Sequence, residues 1–193
     1  DQTDTLGRPL PEVEVRIVDP QTLETQPIDT VGEIWVRGFQ TMSGYFEMPE
    51  KTRETVLADG WLRSGDLGTM DARGFVKITG RLKEMIIRGG MNLYPREIED
   101  ILFVHPEIDQ VAVLGLPNDK WGEIVAAVIS VKDAGNRPTI AELEDHCRRN
   151  LSSQKVPSVW LFIEKWPLTP SGKIQKHVLA EMIAEGRLRP TIE

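Results

Sequence analysis

Glu12-Val13-Glu14-Val15-Arg16-Ile17-Val18 alternates apolar and polar residues without a break, and that pattern commits the start of the chain to a sheet. A helix would scatter Val13, Val15 and Ile17 around its axis, whereas a strand places them on one face. After the Asp19-Pro20 turn, Gly32-Glu33-Ile34-Trp35-Val36-Arg37-Gly38 is a second strand bounded by glycines. Ser43 to Lys51 is irregular, and Thr52 to Leu57 reads as one short helix. Trp61 to Met70 reads as two short strands hinged at Ser64-Gly65-Asp66, and the turn Asp71-Ala72-Arg73-Gly74 leads into a strand over Phe75–Thr79. Short strands with regular turns predict a β-barrel subdomain over residues 1–80, with a sandwich as the other arrangement of the same strands.

The character changes at Gly80. Met85-Ile86-Ile87 is a short apolar strand that ends at Gly89-Gly90. Pro95 stands where a first-turn proline belongs, Ile98, Ile101 and Leu102 follow at helical spacing, and His105-Pro106 stops the helix. Val111–Leu114 and Ile124–Val131 are β-branched apolar runs and read as central strands. Thr139-Ile140-Ala141-Glu142 is a capping box, and it opens a helix that turns Leu143 and Cys147 inward. Trp160–Ile163 is a further strand, Trp166–Lys173 is a loop rich in proline and glycine, and Gln175–Glu185 closes as a helix with Val178, Leu179 and Met182 inward. Residues 81–193 therefore predict a small α+β domain, a mixed sheet with flanking helices.

Composition removes several function classes. The net charge of −7 gives no support for a nucleic-acid-binding surface, which is normally basic. The one cysteine leaves no intrachain disulfide and suits a reducing, cytoplasmic location. No apolar run approaches the ~20 residues that a membrane span needs. Asp1-Gln2-Thr3-Asp4 is not a signal peptide, and the absence of an initial Met is read as the mark of a piece excised from a longer chain. His105, His146 and His177 lie far apart with no cysteine or carboxylate cluster, so no metal site is expected.

Taken one at a time, the polar candidates are ordinary. Asp66 in a Ser-Gly-Asp turn can simply bond its own backbone. Lys173 in Pro170-Ser171-Gly172-Lys173-Ile174 fails the phosphate-loop pattern, because Pro167 and Ile174 stand where glycine and Ser or Thr are required. It remains a loop lysine able to meet an oxyanion as a point charge. Trp121 is either a core aromatic or a platform for a ligand.

The ordered series is specific. Gly60-Trp61-x-x-Ser64-Gly65-Asp66, then Gly80-Arg81-x-Lys83-Glu84, then Gly89-Gly90-x-Asn92-x-Tyr94-Pro95-x-Glu97-Ile98-Glu99, then Pro170-x-Gly172-Lys173 resembles the adenylate-forming acyl-CoA synthetases, luciferases and adenylation domains. The resemblance runs from about Leu6 to Ile183. It implies a ligase that uses ATP, Mg and CoA to convert a carboxylic acid, fatty or otherwise organic, into its acyl-CoA through an acyl-adenylate. Asp66 and Arg81 then correspond to the groups that meet the ribose, with Ile78 in the same nucleotide-binding set. Lys83 corresponds to the hinge joining the two domains, and Glu97 opens the helix that follows. Gly89 and Gly90 lie on the loop beside the CoA channel, Trp121 matches an aromatic near CoA, and Lys173 corresponds to the catalytic lysine of adenylation.

The chain departs from the family in two places. The phosphate loop and the acidic motif that helps place Mg are absent, which implies that the Mg ligands and the acyl pocket belong to a preceding region and that this piece is inactive alone. Around Gln154–Ser158 only Lys155 supplies charge toward CoA, where some relatives offer aromatic and basic groups. Two other readings stay open: an adenylation domain that loads a carrier protein, and a non-catalytic domain pair. A homodimer is compatible with all three.

Overall fold

The computed structural model describes residues 4–191; Asp1–Thr3, which open the start read as no signal peptide, and Ile192 and Glu193 lie outside the described residues. Two compact units divide the chain, Asp1–Lys83 and Glu84–Glu193.

In the first unit the alternating run forms β1, Glu14–Val18. It begins an antiparallel meander with β2 (Gly32–Arg37), β3 (Leu62–Met70) and β4 (Val76–Arg81) in that order. The sheet is open, and among the described residues β1 and β4 do not pair, so the expected barrel does not close. Both outer edges are already partly occupied. Leu6 N donates to Val76 O and Val76 N to Gly7 O along β4, while Gln26 N donates to Ile17 O along β1. Ladder positions taken by the sheet's own loops are not available for closure. Ile17, Ile34 and Val76 pack on one face, and Val18, Trp35 and Trp61 on the other.

Sequence reading split β3 at Ser64-Gly65-Asp66; the structure keeps it as one strand with a bulge. While β2 advances from Glu33 to Trp35, β3 advances from Arg63 to Leu67. The extra residues bow out of the ladder, and the pairing resumes beyond them. Helix α1, Pro49–Thr55, starts earlier than the expected Thr52 because Pro49 fits the first helical turn. Strand β4 runs past Gly80 to Arg81, and a short 3-10 turn, Leu82–Glu84, follows. The units consequently divide between Lys83 and Glu84 rather than at Gly80.

The second unit is built on β8, Gly122–Val131. Along its whole length β8 pairs antiparallel with β7, Ile108–Asn118. At Gly122 it also meets β5 (Ile86–Arg88), and over Ala126–Ile129 it pairs in parallel with β9 (Val159–Phe162). The sheet is thus mixed, as expected. Strand β7, read as central, lies at its end, and β6 (Met91–Leu93), too short to read, pairs with β5. Alternation along β7 and β8 sends Val113, Val125, Ala127 and Ile129 to one face, where they pack with Ile98, Leu102, Leu143 and Cys147 of α2 (Pro95–Phe103) and α3 (Ile140–Arg148). Ala112, Leu114, Ala126 and Val128 point to the other face, against Leu179 of α4 (Lys176–Ala184).

Both helix-start signals of this unit are realised. Pro95 occupies the first turn of α2. Thr139 Oγ1 accepts from Glu142 N at 3.2 Å while Glu142 Oε2 accepts from Thr139 N at 2.9 Å, a complete capping box. Cys147 is fully buried, and that burial pushes its thiol up to about 11. His105 and His146, which the sequence keeps far apart, meet edge to face with ring centroids 5.2 Å apart. His146 Nε2 donates to Ile101 O at 2.8 Å, and burial holds His105 below the ordinary imidazole range. The described residues contain no group of three or more His, Cys, Asp or Glu placed to hold a metal ion, and no helix long and apolar enough to cross a membrane.

Candidate functional site

Asp66 and Arg81 stand directly opposite each other across β3 and β4. Arg81 Nε lies 3.2 Å from Asp66 Oδ1. Ser64, Gly65, Asp66, Arg81, Leu82 and Lys83 line one open pocket of about 340 Å³. The Arg81 side chain is 55% exposed, so its ion pair with Asp66 holds little stability and both groups remain available to a ligand. One depression therefore offers a carboxylate acceptor, a guanidinium donor and a lysine. Ile78, placed with them in the nucleotide set, pairs instead with Gly68 and packs beside Ile17, Ile34 and Val76, and it does not line this pocket.

What holds Asp66 in place is a residue that sequence reading passed over as part of a strand. Glu33 is 1% exposed. Its Oε2 accepts from Trp35 Nε1 at 2.8 Å and from Arg63 Nε at 3.1 Å, and its Oε1 accepts from Gly65 N at 3.2 Å. Gly65 takes a left-handed φ of +71°, a conformation that glycine adopts without penalty. Ser64 Oγ then accepts from Asp66 N at 3.0 Å. The bulge is thereby tied to the sheet from below, and Asp66 is carried at its end. One signal was present: period two puts Glu33 on the same side of β2 as Trp35, an apolar setting that a carboxylate tolerates only with donors around it.

In the second unit, Gly89 and Gly90 form the two-residue turn between β5 and β6, both with positive φ, at +58° and +81°. That is the backbone of a tight hairpin turn whose twist matches its strands. Gly89 N donates to Trp121 O at 2.7 Å, and a Cβ at Gly89 would stand 2.9 Å from Trp121 Cε3. Trp121 lies on the connection from β7 to β8, where Asn118 Oδ1 accepts from Lys120 N and Trp121 N. The indole is 44% exposed, with Lys120 Nζ 5.0 Å from its ring centre. Gly89, Gly90 and Trp121 thus meet on one edge. Gly89→Ala is expected to cost this unit about 1–2 kcal/mol from the left-handed backbone alone, and to shift the Trp121 indole. Urea unfolding with the indole proton resonance checks both.

Lys173 sits on a separate loop of this unit. Thr169 N donates to Lys173 O, Lys173 N donates to Thr169 Oγ1 at 3.0 Å, and a Leu168–Ile174 bridge closes the base. Lys173 is exposed and forms no ion pair among the described residues. Lys83 is exposed as well, in the turn that ends the first unit. Asp66, Arg81 and Lys83 are brought together, and so are Gly89, Gly90 and Trp121.

Residues 1–46 match the profile of the AMP-binding enzymes, and residues 97–173 match the AMP-binding enzyme C-terminal domain. The mitochondrial medium-chain acyl-CoA ligase ACSF2 of Bos taurus is 41% identical over 95% of this chain and 30% of its own length. Among solved structures, ATP-bound MatB from Rhodopseudomonas palustris superposes with a TM-score of 0.86 at 37% identity, over 93% of this chain and 35% of that one. The amide bond synthetase McbA from Marinactinospora thermotolerans gives 0.84 at 42% identity, over 92% and 36%. The chain spans about a third of the length of these relatives. Matched at both profiles, and alike in fold and sequence to these enzymes over nearly all of its length, the chain belongs to the AMP-binding enzymes.

Proposed function

We propose that this chain is the C-terminal part of an ATP-dependent acyl-CoA synthetase. The observation that carries the reading is Asp66 facing Arg81 across β3 and β4 in a pocket that also holds Lys83, the last residue of the first unit. A carboxylate there accepts hydrogen bonds from the vicinal hydroxyls of a ribose, and the guanidinium donates to the same sugar. In the first step a carboxylate oxygen of the acid attacks the α-phosphorus of ATP, and pyrophosphate leaves. In the second the thiol of CoA attacks the acyl carbon, the thiol proton is lost, and AMP leaves. Mg supplies charge neutralisation for the phosphates when bound, and its ligands are assigned to the region upstream.

Two like-charged groups meet in the first step, and the Lys173 ammonium is the cation of this chain suited to that encounter. Its loop has no competing ion pair among the described residues. Lys83 is the point of rotation that exchanges Lys173 for the Gly89–Trp121 edge between the steps. That edge, with its exposed indole and the Lys120 ammonium, suits the pantetheine and phosphates of CoA. A cytoplasmic enzyme acting on a fatty or other organic acid is the reading that we favour. The likeness to the amide bond synthetase McbA supports a second one, in which the adenylate is made but the acceptor is an amine.

The test mixes the chain, and in parallel the chain with its upstream region, with ATP, Mg, CoA and a panel of carboxylic acids. Acyl-CoA is expected from the longer protein only, and product from the chain alone would refute the assignment of the phosphate and Mg groups upstream. In the longer protein, Asp66→Ala is expected to weaken ATP binding by at least about tenfold, the loss of charge-assisted hydrogen bonds to two hydroxyls. Isothermal titration with ATP checks it.

A further inference from the structure

Lys176 is the first residue of α4, three positions beyond Lys173. A cation is disfavoured at a helix N-terminus, where the backbone already presents positive charge, and Gln175 before it makes no side-chain cap. The structure sets two carboxylates against it. Lys176 Nζ lies 2.8 Å from Glu84 Oε2 and 2.7 Å from Glu99 Oε1. All three side chains are between a fifth and a third exposed, so the cluster is only partly screened. Glu99 is itself fixed, because its Oε1 accepts from Val113 N of β7 at 2.8 Å. Glu84 is the first residue of the second unit and follows Lys83 directly.

Lys176 therefore ties three pieces of backbone together: the entry to the second unit, the α2–β7 layer, and the segment that carries the Lys173 loop. Gln175 secures the foot of that loop, its N donating to Pro167 O and its Nε2 to Leu168 O. These bonds hold the loop closed on itself. Trp166 and Ile174 seat its two ends on the core, with Trp166 Nε1 donating to Ser130 Oγ at 3.0 Å, and the Lys176 ion pairs are what join it to Glu84 itself.

We propose that Lys176 is a positioning residue that locks the Lys173 loop to the first residue of the second unit, so that loop and entry segment turn as one rigid body. The catalytic part of the argument rests on the adenylation reading of Lys173 given above. A rotation begun at Lys83 is then delivered to the Lys173 ammonium without slack. Errors of about 1 Å in a reacting group can cost up to roughly a hundredfold in rate, so a lock of this kind has a measurable effect.

The experiment uses Lys176→Met, Lys176→Arg and Lys173→Ala, with two readouts. In the chain itself, amide hydrogen exchange is followed at Gly172 and Lys173. In the protein extended by its upstream region, acyl-adenylate formation and thioester formation from supplied acyl-adenylate are measured separately. Lys176→Met is expected to speed exchange at both amides and to slow adenylation about tenfold or more, with thioester formation unchanged. Lys176→Arg is expected to restore most of the adenylation rate. Wild-type adenylation in Lys176→Met beside a dead Lys173→Ala would overturn the proposal, and so would an equal fall in both half-reactions. If Lys173→Ala leaves adenylation intact, the reading of Lys173 fails. The exchange data then decide the lock alone, and unchanged exchange in Lys176→Met refutes it.

Discussion

Replacing Lys173 with alanine is expected to slow acyl-adenylate formation roughly 10²–10³-fold, the range seen when one preorganised donor to a developing charge is removed. Thioester formation from supplied acyl-adenylate is expected to stay near its original rate, because that step no longer brings a carboxylate against a phosphate. Folding is expected to be nearly unaffected. The side chain is exposed, and the loop is held by Thr169 and the Leu168–Ile174 bridge rather than by the ammonium. Exposed substitutions of this kind stay within about 0.5 kcal/mol. Lys173→Arg is expected to recover only part of the rate, since a planar fork does not substitute for a compact point charge. Pyrophosphate exchange measures the first step and a thiol-capture assay the second; equal losses in the two would remove Lys173 from its assigned role.

Glu33→Ala is expected to be the most damaging single change to stability, about 3–5 kcal/mol, because it strands buried donors and a guanidinium rather than removing both sides of an interaction. Trp35 Nε1, Gly65 N and the Arg63 guanidinium would lose their acceptor together. Glu33→Gln keeps an oxygen for one or two of them and is expected to cost about half as much. The loss should be confined to the first unit. In denaturant, Trp35 and Trp61 report that unit and Trp160 reports the other. The expected result is an earlier transition in the first signal with the second unmoved. A cost below about 1 kcal/mol, the worth of a single ordinary hydrogen bond, would show that the network is not what holds the bulge.

The two substitutions mark the limit of what the sequence disclosed. The starts of α2 and α3 were legible because their chemistry is local: Pro95 sets its own φ, and Thr139 and Glu142 satisfy each other within one turn. Strand faces were legible for the same reason, since period two needs no partner. Sheet closure was not, because it depends on which backbone reaches an edge first, and Leu6–Gly7 reaches β4 from far away in sequence. Strand β6 was hidden because three residues carry no period. Asp66, Arg81 and Lys83, which line one pocket, all belong to an ordered set of motifs that can be read without the fold. The supports were not legible: neither the contact of Glu33 with Gly65 nor the ion pairs of Glu84 and Glu99 with Lys176 can be read without the fold.

Cys147 carries a practical consequence. It is the sole thiol of the chain, it lies fully buried between α3 and the sheet of the second unit, and its proton is held tightly. An alkylating reagent needs both access and thiolate, and the native second unit denies it each. The rate at which this one sulfur is trapped is therefore a stopwatch for the opening of the second unit, and it runs without any label introduced into the chain.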